Sequence, residues 1–247
     1  GNPDQPTLAL VDAYLAWQLQ EQDLLMDLDT LTVHPQWGFN PNQLDRYYSA
    51  FLTLPSSALV SLNQPGHPLG ASASLLFYNE TWLGQLGYTT PPQTFDAFEE
   101  IACKAASQPF NQAGQGTLSG FVLQASSESI LSWAHAFGAQ TGFTDSSGFQ
   151  LDTAEFRSSM LYLRKLARLG CLTLVDSREA LHDAFIEGRA LFIQETSTAM
   201  PNFAQAVPVN TFSWNVIPLP STAGAILLDP SGSYLLGLLD QSPEQEL

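Results

Sequence analysis

The sequence predicts an α/β fold, and three observations support this. Short apolar runs, typical of buried strands, alternate along the chain with helical patterns of ten or more residues. Hydrophobic residues make up 45% of the 247 residues, which is enough for a sizeable core. Only 13% are charged, and the acidic residues are scattered among apolar patterns, which argues against disorder. At about 100–200 residues per domain, the length indicates one large domain or two smaller ones.

The predicted strands are short, apolar and spread along the whole chain. They cover residues 7–11, 58–62, 74–78, 120–124, 190–194 and 213–217. Turn-forming residues 63–68 separate the second strand from the third. The polar, glycine-bearing residues 107–118 are the best candidate for a linker between domains.

Helical periodicity and end signals predict five helices between these strands. They cover residues 13–22, a segment that begins after Thr94, and residues 127–137, 153–169 and 177–188. The pattern is strongest in 153–169, where Thr153 is placed to cap the first turn and Gly170 to end the last. The alternation of strands and helices therefore continues beyond the linker candidate.

The charge balance excludes one class of partner. The chain has 8 Lys and Arg against 24 Asp and Glu, a net charge of −16. Nucleic-acid binding draws its affinity from cations that neutralise phosphates, yet Arg46 is the only Lys or Arg before Lys104. We therefore expect no nucleic-acid partner and no attraction to an anionic membrane surface. No run of 18 apolar residues exists, so no membrane span is predicted.

Metal and cofactor motifs are absent from the sequence. The four histidines have no metal-ligand spacing to one another or to a cysteine, so neither a metal site nor a cofactor is predicted. Cys103 and Cys171 form no ligand motif, and we expect two small buried residues from which no compartment follows.

No catalytic arrangement stands out either. Residues 114–117 (GQGT) lack the lysine of a phosphate-binding loop. Ser72 lies in a segment reminiscent of a nucleophile elbow, but the final glycine is missing. No pair of carboxylates is singled out as acid and base, so the sequence predicts no enzyme.

Three segments, in order, carry a resemblance to a known family. The first is LFYNETWL at 76–83, followed by PPQTFDAF at 91–98. The second is FGA at 137–139 with the long helix that ends at Gly170, and the third is DAFIEGRALF at 183–192. Together they resemble family 1 of the extracellular solute-binding proteins of ABC importers, the maltose- and sugar-binding type.

The resemblance implies a periplasmic-binding-protein-like fold of type II, with two α/β lobes that close on a ligand. Residues 1–112 with 224–247 would form one lobe and residues 118–220 the other. It also implies that the chain is an interior portion lacking both ends of the family's length. The first lobe would then leave apolar surface uncovered, so we expect self-association or local disorder near residues 1–60.

By position, the resemblance places candidate ligand-binding residues in loops at the carboxyl ends of strands. These are Asp12, Tyr14, Ser72, Ser126, Glu128, Glu195, Thr196, Ser197, Ser233 and Tyr234. A structural role stays open for several of them: helix N-terminal polarity for Asp12, Tyr14 and Glu128, turn bonding for Ser72, and burial for Tyr234. The family's tryptophan near Ser197 or Ala199 is missing, which argues against a large stacked oligosaccharide.

The function implied by the resemblance is capture of a small polar solute, with carbohydrate as the expected class, and its delivery to an ABC permease. The protein would be extracytoplasmic and lipid-anchored in its full-length form. The alternative is a diverged ligand-sensing module of the same fold that is not coupled to transport. A hydrolase is the third and least favoured interpretation.

Overall fold

The computed structural model describes residues 67–110, 119–139, 151–208, 210–222 and 228–238, together with parts of residues 8–46. The predicted strand at 58–62 and the candidate Tyr14 lie outside the described residues, as does much of the predicted helix at 13–22. Two compact units divide the chain. The first combines residues 1–72, 142–150 and 228–247, and the second combines residues 73–141 and 151–227.

Strands and helices alternate along the described residues, as predicted. The strands are β1 Leu8–Asp12, β2 His67–Asn79, β3 Ser119–Gln124, β4 Leu172–Val175, β5 Ala190–Thr196, β6 Trp214–Pro218 and β7 Leu228–Leu238. The helices are α1 Pro41–Leu44, α2 Glu80–Gln85, α3 Phe95–Ser107, α4 Ser127–Ala136, α5 Ala154–Arg168, α6 Arg178–Ile186 and α7 Met200–Ala206. None of these helices is both long and apolar enough to cross a membrane.

In the first unit, β1 pairs antiparallel with β7, and Asp12 stands opposite Tyr234 in the register. Val11 is buried in a small apolar cluster. Leu8 and Leu10 alternate with it along the strand, so their side chains lie on the other face, and they are 52% and 60% exposed. One face of β1 therefore presents an apolar strip to solvent.

The second unit is built on one mixed sheet in the order β6-β2-β5-β3-β4. Strand β2 is antiparallel to β5 and β6, whereas β3 is parallel to both β4 and β5. Residues 74–78 are thus in the same sheet as 120–124 and 190–194. The predicted boundary, which assigned residues 73–112 to the first lobe, is wrong for the described part of that segment. The apolar run at 74–78 indicates a strand but does not indicate which strand it pairs with.

Two apolar layers enclose this sheet. On one face, α3, α4 and α5 pack aromatic residues against it. Phe98 contacts Phe121 and Phe192 of the strands, and Trp133 contacts Phe121. On the other face, α6 and α7 pack an apolar cluster of their own. Its members include Phe77, Ile193, Phe185, Phe203 and Trp214.

Side-chain caps begin four of the helices of the second unit named above. Thr94, Ser126, Thr153 and Ser177 each accept a hydrogen bond from the backbone N–H three residues further on. Such a cap satisfies a donor that the first helical turn would otherwise leave unpaired. The predicted starts at Thr94 and Thr153 are confirmed.

Cys103 of α3 and Cys171, which directly precedes β4, form a disulfide with a Cα–Cα distance of 4.5 Å. The sequence analysis expects two small buried residues and predicts no link between them, so this disulfide is a contact that it missed. The two residues are 68 apart in sequence, and they meet because α3 and the start of β4 both lie against β3. A separation of 68 residues gives no indication in the sequence that two cysteines pair.

Gly120 of β3 lies so close to α3 that a Cβ atom would overlap the backbone of Ala102. We predict that Gly120→Ala lowers the free energy of unfolding by about 1–3 kcal/mol, because backbone must move to admit one methyl group. Gly84→Ala in α2 is the matched control, since nothing lies within 4 Å of the added Cβ. It should be neutral or stabilise by up to about 1 kcal/mol. Urea denaturation of both variants measures the difference, and equal stabilities would contradict the close approach.

Candidate functional site

Three parallel strands of the second unit end at the same edge of the sheet. They are β3, β4 and β5, whose last residues are Gln124, Val175 and Thr196. Within two residues of these strand ends lie Ser126, Ser177 and Ser197, the first two of which cap helices. Ligand sites of open α/β sheets form at such carboxyl edges. Of the predicted residues, this edge holds Ser126, Glu128, Glu195, Thr196 and Ser197.

A buried carboxylate is the most highly connected group at this edge. Glu195 is 8% exposed and accepts two hydrogen bonds from Arg178, with Nε–Oε2 and Nη2–Oε1 both at 2.7 Å. His182 Nε2 lies 2.7 Å from Oε2, and the backbone N–H of Thr196 donates to Oε1 at 2.6 Å. We refer to Glu195, Arg178, His182 and Thr196 as the Glu195 cluster.

The cluster holds Glu195 ionised. Burial alone would raise the pKa of its carboxyl, because a low-dielectric site disfavours the charged form. The hydrogen bonds from His182, Arg178 and the Thr196 N–H, together with the charge of Arg178, outweigh burial and lower that pKa from 4.5 to about 2. Glu195 is therefore a fixed negative charge at every physiological pH.

Both oxygens of Glu195 already accept hydrogen bonds from these partners. The groups of the cluster that face solvent are therefore those of Arg178 and Thr196. The side chain of Arg178 is 53% exposed. Thr196 is partly exposed, and its hydroxyl lies 2.6 Å from that of Thr198, which is exposed. Arg178, Thr196 and Thr198 are thus the polar surface that Glu195 supports from beneath.

The neighbouring candidate residues Ser197, Ser126 and Glu128 also have structural roles. The hydroxyl of Ser197 accepts a hydrogen bond from the Ala73 N–H at 3.1 Å, which links the end of β5 to β2. Ser126 caps α4 and donates to Ser129 Oγ. Glu128 is exposed in the first turn of α4, where its charge is favourable to the helix dipole.

The remaining candidates lie elsewhere. Ser72 is 1% exposed within β2, so the expected turn before that strand is wrong: β2 begins at His67. Asp12 is the last residue of β1, and Ser233 and Tyr234 lie inside β7 of the first unit rather than at its start. Tyr14 lies outside the described residues.

Arg178 and His182 were missed by the sequence analysis. The N-cap Ser177 predicts the start of α6 and so places Arg178 in the first turn, with His182 one turn later on the same side of the helix. Nothing in the sequence indicates that this side faces Glu195, because the contact depends on the parallel pairing of β4, β3 and β5. No group of three or more metal-ligating side chains occurs among the residues for which a structure is described.

Several solved structures share this fold. Among them are UgpB from Mycobacterium tuberculosis in complex with glycerophosphocholine (TM-score 0.72, 16% identity) and the sugar-binding protein MalE from Xanthomonas citri (TM-score 0.74, 18% identity). The galacto-N-biose/lacto-N-biose I-binding protein of Bifidobacterium longum, in complex with lacto-N-biose, matches with TM-score 0.70 and 20% identity. Each comparison covers 98% of this chain, and respectively 60%, 59% and 57% of the other.

These likenesses confirm the predicted fold class, the mixed α/β fold of maltose-binding-protein-like periplasmic binding proteins, and the chain spans about 60% of the length of the structures it matches. The sequence model for bacterial extracellular solute-binding proteins matches residues 1–247, and the chain belongs to this family. A comparison with curated proteins finds no match.

The low pKa of Glu195 predicts a specific pH dependence of stability. A carboxyl whose pKa is depressed on folding contributes stability above 4.5, its ordinary value, and loses that contribution as the pH falls toward about 2. Glu195→Gln should therefore lower the free energy of unfolding by about 1.5–3 kcal/mol at pH 7, and the deficit should shrink between about pH 5 and pH 2.

Denaturant titrations of the wild type and the variant across this range provide the measurement. Glu128→Gln, which removes an exposed carboxylate from the same edge, is the matched control and should show a small deficit. A deficit of Glu195→Gln that stays constant from pH 5 to pH 2 would contradict the account of the cluster.

Proposed function

We propose that the chain is the solute-recognition part of an extracytoplasmic binding protein that captures a small polar solute and passes it to an ABC permease. Carbohydrate is the leading solute class. The observation that carries the proposal is the match of the extracellular solute-binding family along residues 1–247. The family consists of binding proteins, and we propose that this member releases its solute chemically unchanged.

The chemistry of the carboxyl edge supports a hydroxyl-rich solute. The guanidinium of Arg178 carries donors, and the hydroxyls of Thr196 and Thr198 both donate and accept. Such groups pair with the alternating donors and acceptors of a sugar or a polyol. Because Arg178 is held by two hydrogen bonds to Glu195, its position is set before any solute arrives, and binding costs less conformational entropy.

The absence of a stacking surface among the described residues of this edge favours a small solute. Ser197 and Ala199, where the family often has tryptophan, present a hydroxyl and a methyl group, and Ala199 is only 2% exposed. A long oligosaccharide gains much of its affinity from aromatic faces. The second unit therefore fits a solute recognised by hydrogen bonds.

An extracytoplasmic location agrees with the disulfide between Cys103 and Cys171. Disulfides persist in oxidising compartments such as the periplasm and the cell surface, and are rare in the cytosol. The family's extracellular setting and this covalent link point to the same compartment.

Isothermal titration calorimetry against a panel of solutes tests the proposal. The panel contains glycerophosphocholine, lacto-N-biose, maltose and common monosaccharides, and it is applied to both this chain and the complete gene product. Binding of one solute, recovered unchanged after incubation, is the expected result. Turnover of a panel solute, or binding of none of them by the complete gene product, would contradict the proposal.

We predict that Arg178→Ala weakens binding of that solute by about tenfold to hundredfold, the loss expected for one hydrogen bond to a charged group. Arg164→Ala is the matched control: Arg164 is exposed on α5, which covers the opposite face of the sheet from α6. Melting temperatures of both variants show whether the second unit remains folded. Equal affinities in the two variants would show that Arg178 does not contribute to solute binding.

A further inference from the structure

His182 contacts the Glu195 carboxylate but exposes little of its own side chain to solvent. That side chain is 19% exposed, against 53% for Arg178, and its Nε2 lies 2.7 Å from Oε2 of Glu195. Solute contact is proposed for Arg178, Thr196 and Thr198, and none is proposed for His182. Because Nε2 is directed at a buried oxygen, a role of His182 in solute binding has to act through Glu195.

The charge of Glu195 decides which nitrogen of His182 carries a hydrogen. An ionised carboxylate has acceptors only, and Glu195 is ionised because its pKa is about 2. The hydrogen in the 2.7 Å contact therefore belongs to Nε2 of His182. This fixes the tautomer of the neutral ring, and the protonated ring carries a hydrogen on Nε2 as well.

The ring of His182 also packs on the apolar core. It contacts the ring of Phe203 in α7, with the ring centroids 4.8 Å apart and the planes inclined by 60°. Phe203 is fully buried and contacts Phe77 and Phe185, with ring centroids 5.1 Å apart in both pairs. Close packing of this kind restricts the rotamers of the imidazole, so its Nε2–H has a fixed direction.

Each oxygen of Glu195 accepts one hydrogen bond from Arg178 and one from a group that is anchored elsewhere. Oε2 accepts from Nε of Arg178 and from Nε2 of His182, both at 2.7 Å. Oε1 accepts from Nη2 of Arg178 at 2.7 Å and from the backbone N–H of Thr196 at 2.6 Å. The two anchored donors set the plane of the carboxylate, and the carboxylate in turn sets the plane of the guanidinium.

Loss of the His182 donor would leave Oε2 with Arg178 as its one partner among these four bonds. The last torsion of a glutamate side chain has a broad energy profile, so the carboxylate and the guanidinium could turn together. A solute that meets a guanidinium of variable orientation has to fix it on binding, and the lost rotamer freedom lowers the affinity.

We propose that His182 is a positioning residue of the solute site: its Nε2–H fixes the Glu195 carboxylate and, through it, the plane of the Arg178 guanidinium, without touching the solute. This inference rests on the proposed function, because it takes Arg178 as a group that meets the solute. It predicts that substitutions of His182 change solute affinity only as far as they change the orientation of Arg178.

Two amide substitutions of His182 form a matched pair. The amide nitrogen of glutamine lies as many bonds from the backbone as Nε2 of histidine, whereas that of asparagine lies one bond closer and falls short of Oε2. His182→Asn should weaken binding by about threefold to tenfold, a part of the loss expected for Arg178→Ala. His182→Gln should restore most of that loss. Asp183→Asn, at the exposed neighbouring position, is the control and should leave the affinity unchanged.

Calorimetry of the complete gene product provides these affinities, with the member of the panel that binds the wild type as the probe: glycerophosphocholine, lacto-N-biose, maltose or a monosaccharide. Melting temperatures show that each variant is folded. If the wild type binds and His182→Asn binds equally well, or if the asparagine and glutamine variants lose the same affinity, the positioning role is wrong and the proposed function stands. Binding of no panel member by the wild type would contradict both.

A double-mutant cycle tests whether His182 acts through Arg178. Arg178→Lys keeps the positive charge but lacks the planar fork whose orientation His182 is proposed to fix. In this background His182→Asn should change the affinity by less than about twofold. The same loss in both backgrounds would show that His182 acts independently of Arg178, and would overturn the proposal.

A spectroscopic measurement on the solute-free wild type needs neither a variant nor a known solute. Long-range 1H–15N NMR of the histidine rings distinguishes a hydrogen on Nε2 from one on Nδ1. We expect the ring of His182 to carry its hydrogen on Nε2. A ring that carries a hydrogen on Nδ1 alone could not donate to Glu195, and this result would overturn the proposal.

Discussion

The parallel pairing of β3 with β4 and β5 is the constraint on which the candidate site depends. Parallel strands point the same way, so the segments after Gln124, Val175 and Thr196 leave the sheet at a common edge. That arrangement brings α6, which follows β4, over the carboxyl end of β5 and sets Arg178 against Glu195. Two apolar layers hold the sheet in place, and the backbone approach of β3 to α3 at Gly120 leaves no room for a side chain. The polar edge therefore rests on a closely packed apolar support.

Burial of Glu195 has a cost that its partners must offset. A carboxylate taken out of water is costly unless it is paired and fully hydrogen-bonded, and apolar residues of similar volume often serve stability as well or better. Here the two oxygens accept hydrogen bonds from Arg178, His182 and a backbone N–H, so the charge is retained although the side chain is buried. This arrangement holds a half-exposed guanidinium in a fixed orientation. Apolar residues in the same place would not. That property is useful in a protein that recognises solutes and adds little to folding alone.

Local signals in the sequence predicted the elements of the second unit well. They did not predict which distant elements contact one another. The apolar periodicity between Thr153 and Gly170, and the caps at Thr94 and Ser177, are properties of neighbouring residues, and the structure has these helices. The pairing of β2 with β5, the disulfide across 68 residues and the contact of Arg178 with Glu195 depend on the assembled sheet. The same limit applies to the site: the resemblance located Glu195 at the carboxyl edge, but only the fold shows that its oxygens are occupied and that Arg178 is the exposed group.

Hydrogen–deuterium exchange, measured with and without each solute of the calorimetric panel, tests most directly whether the carboxyl edge of the second unit binds solute. We predict that the solute that binds slows exchange in residues 125–129, 176–182 and 195–199, at the carboxyl edge of the three parallel strands, and leaves exchange in α5 unchanged. Slower exchange confined to segments away from this edge, under conditions where the solute is bound, would contradict the account.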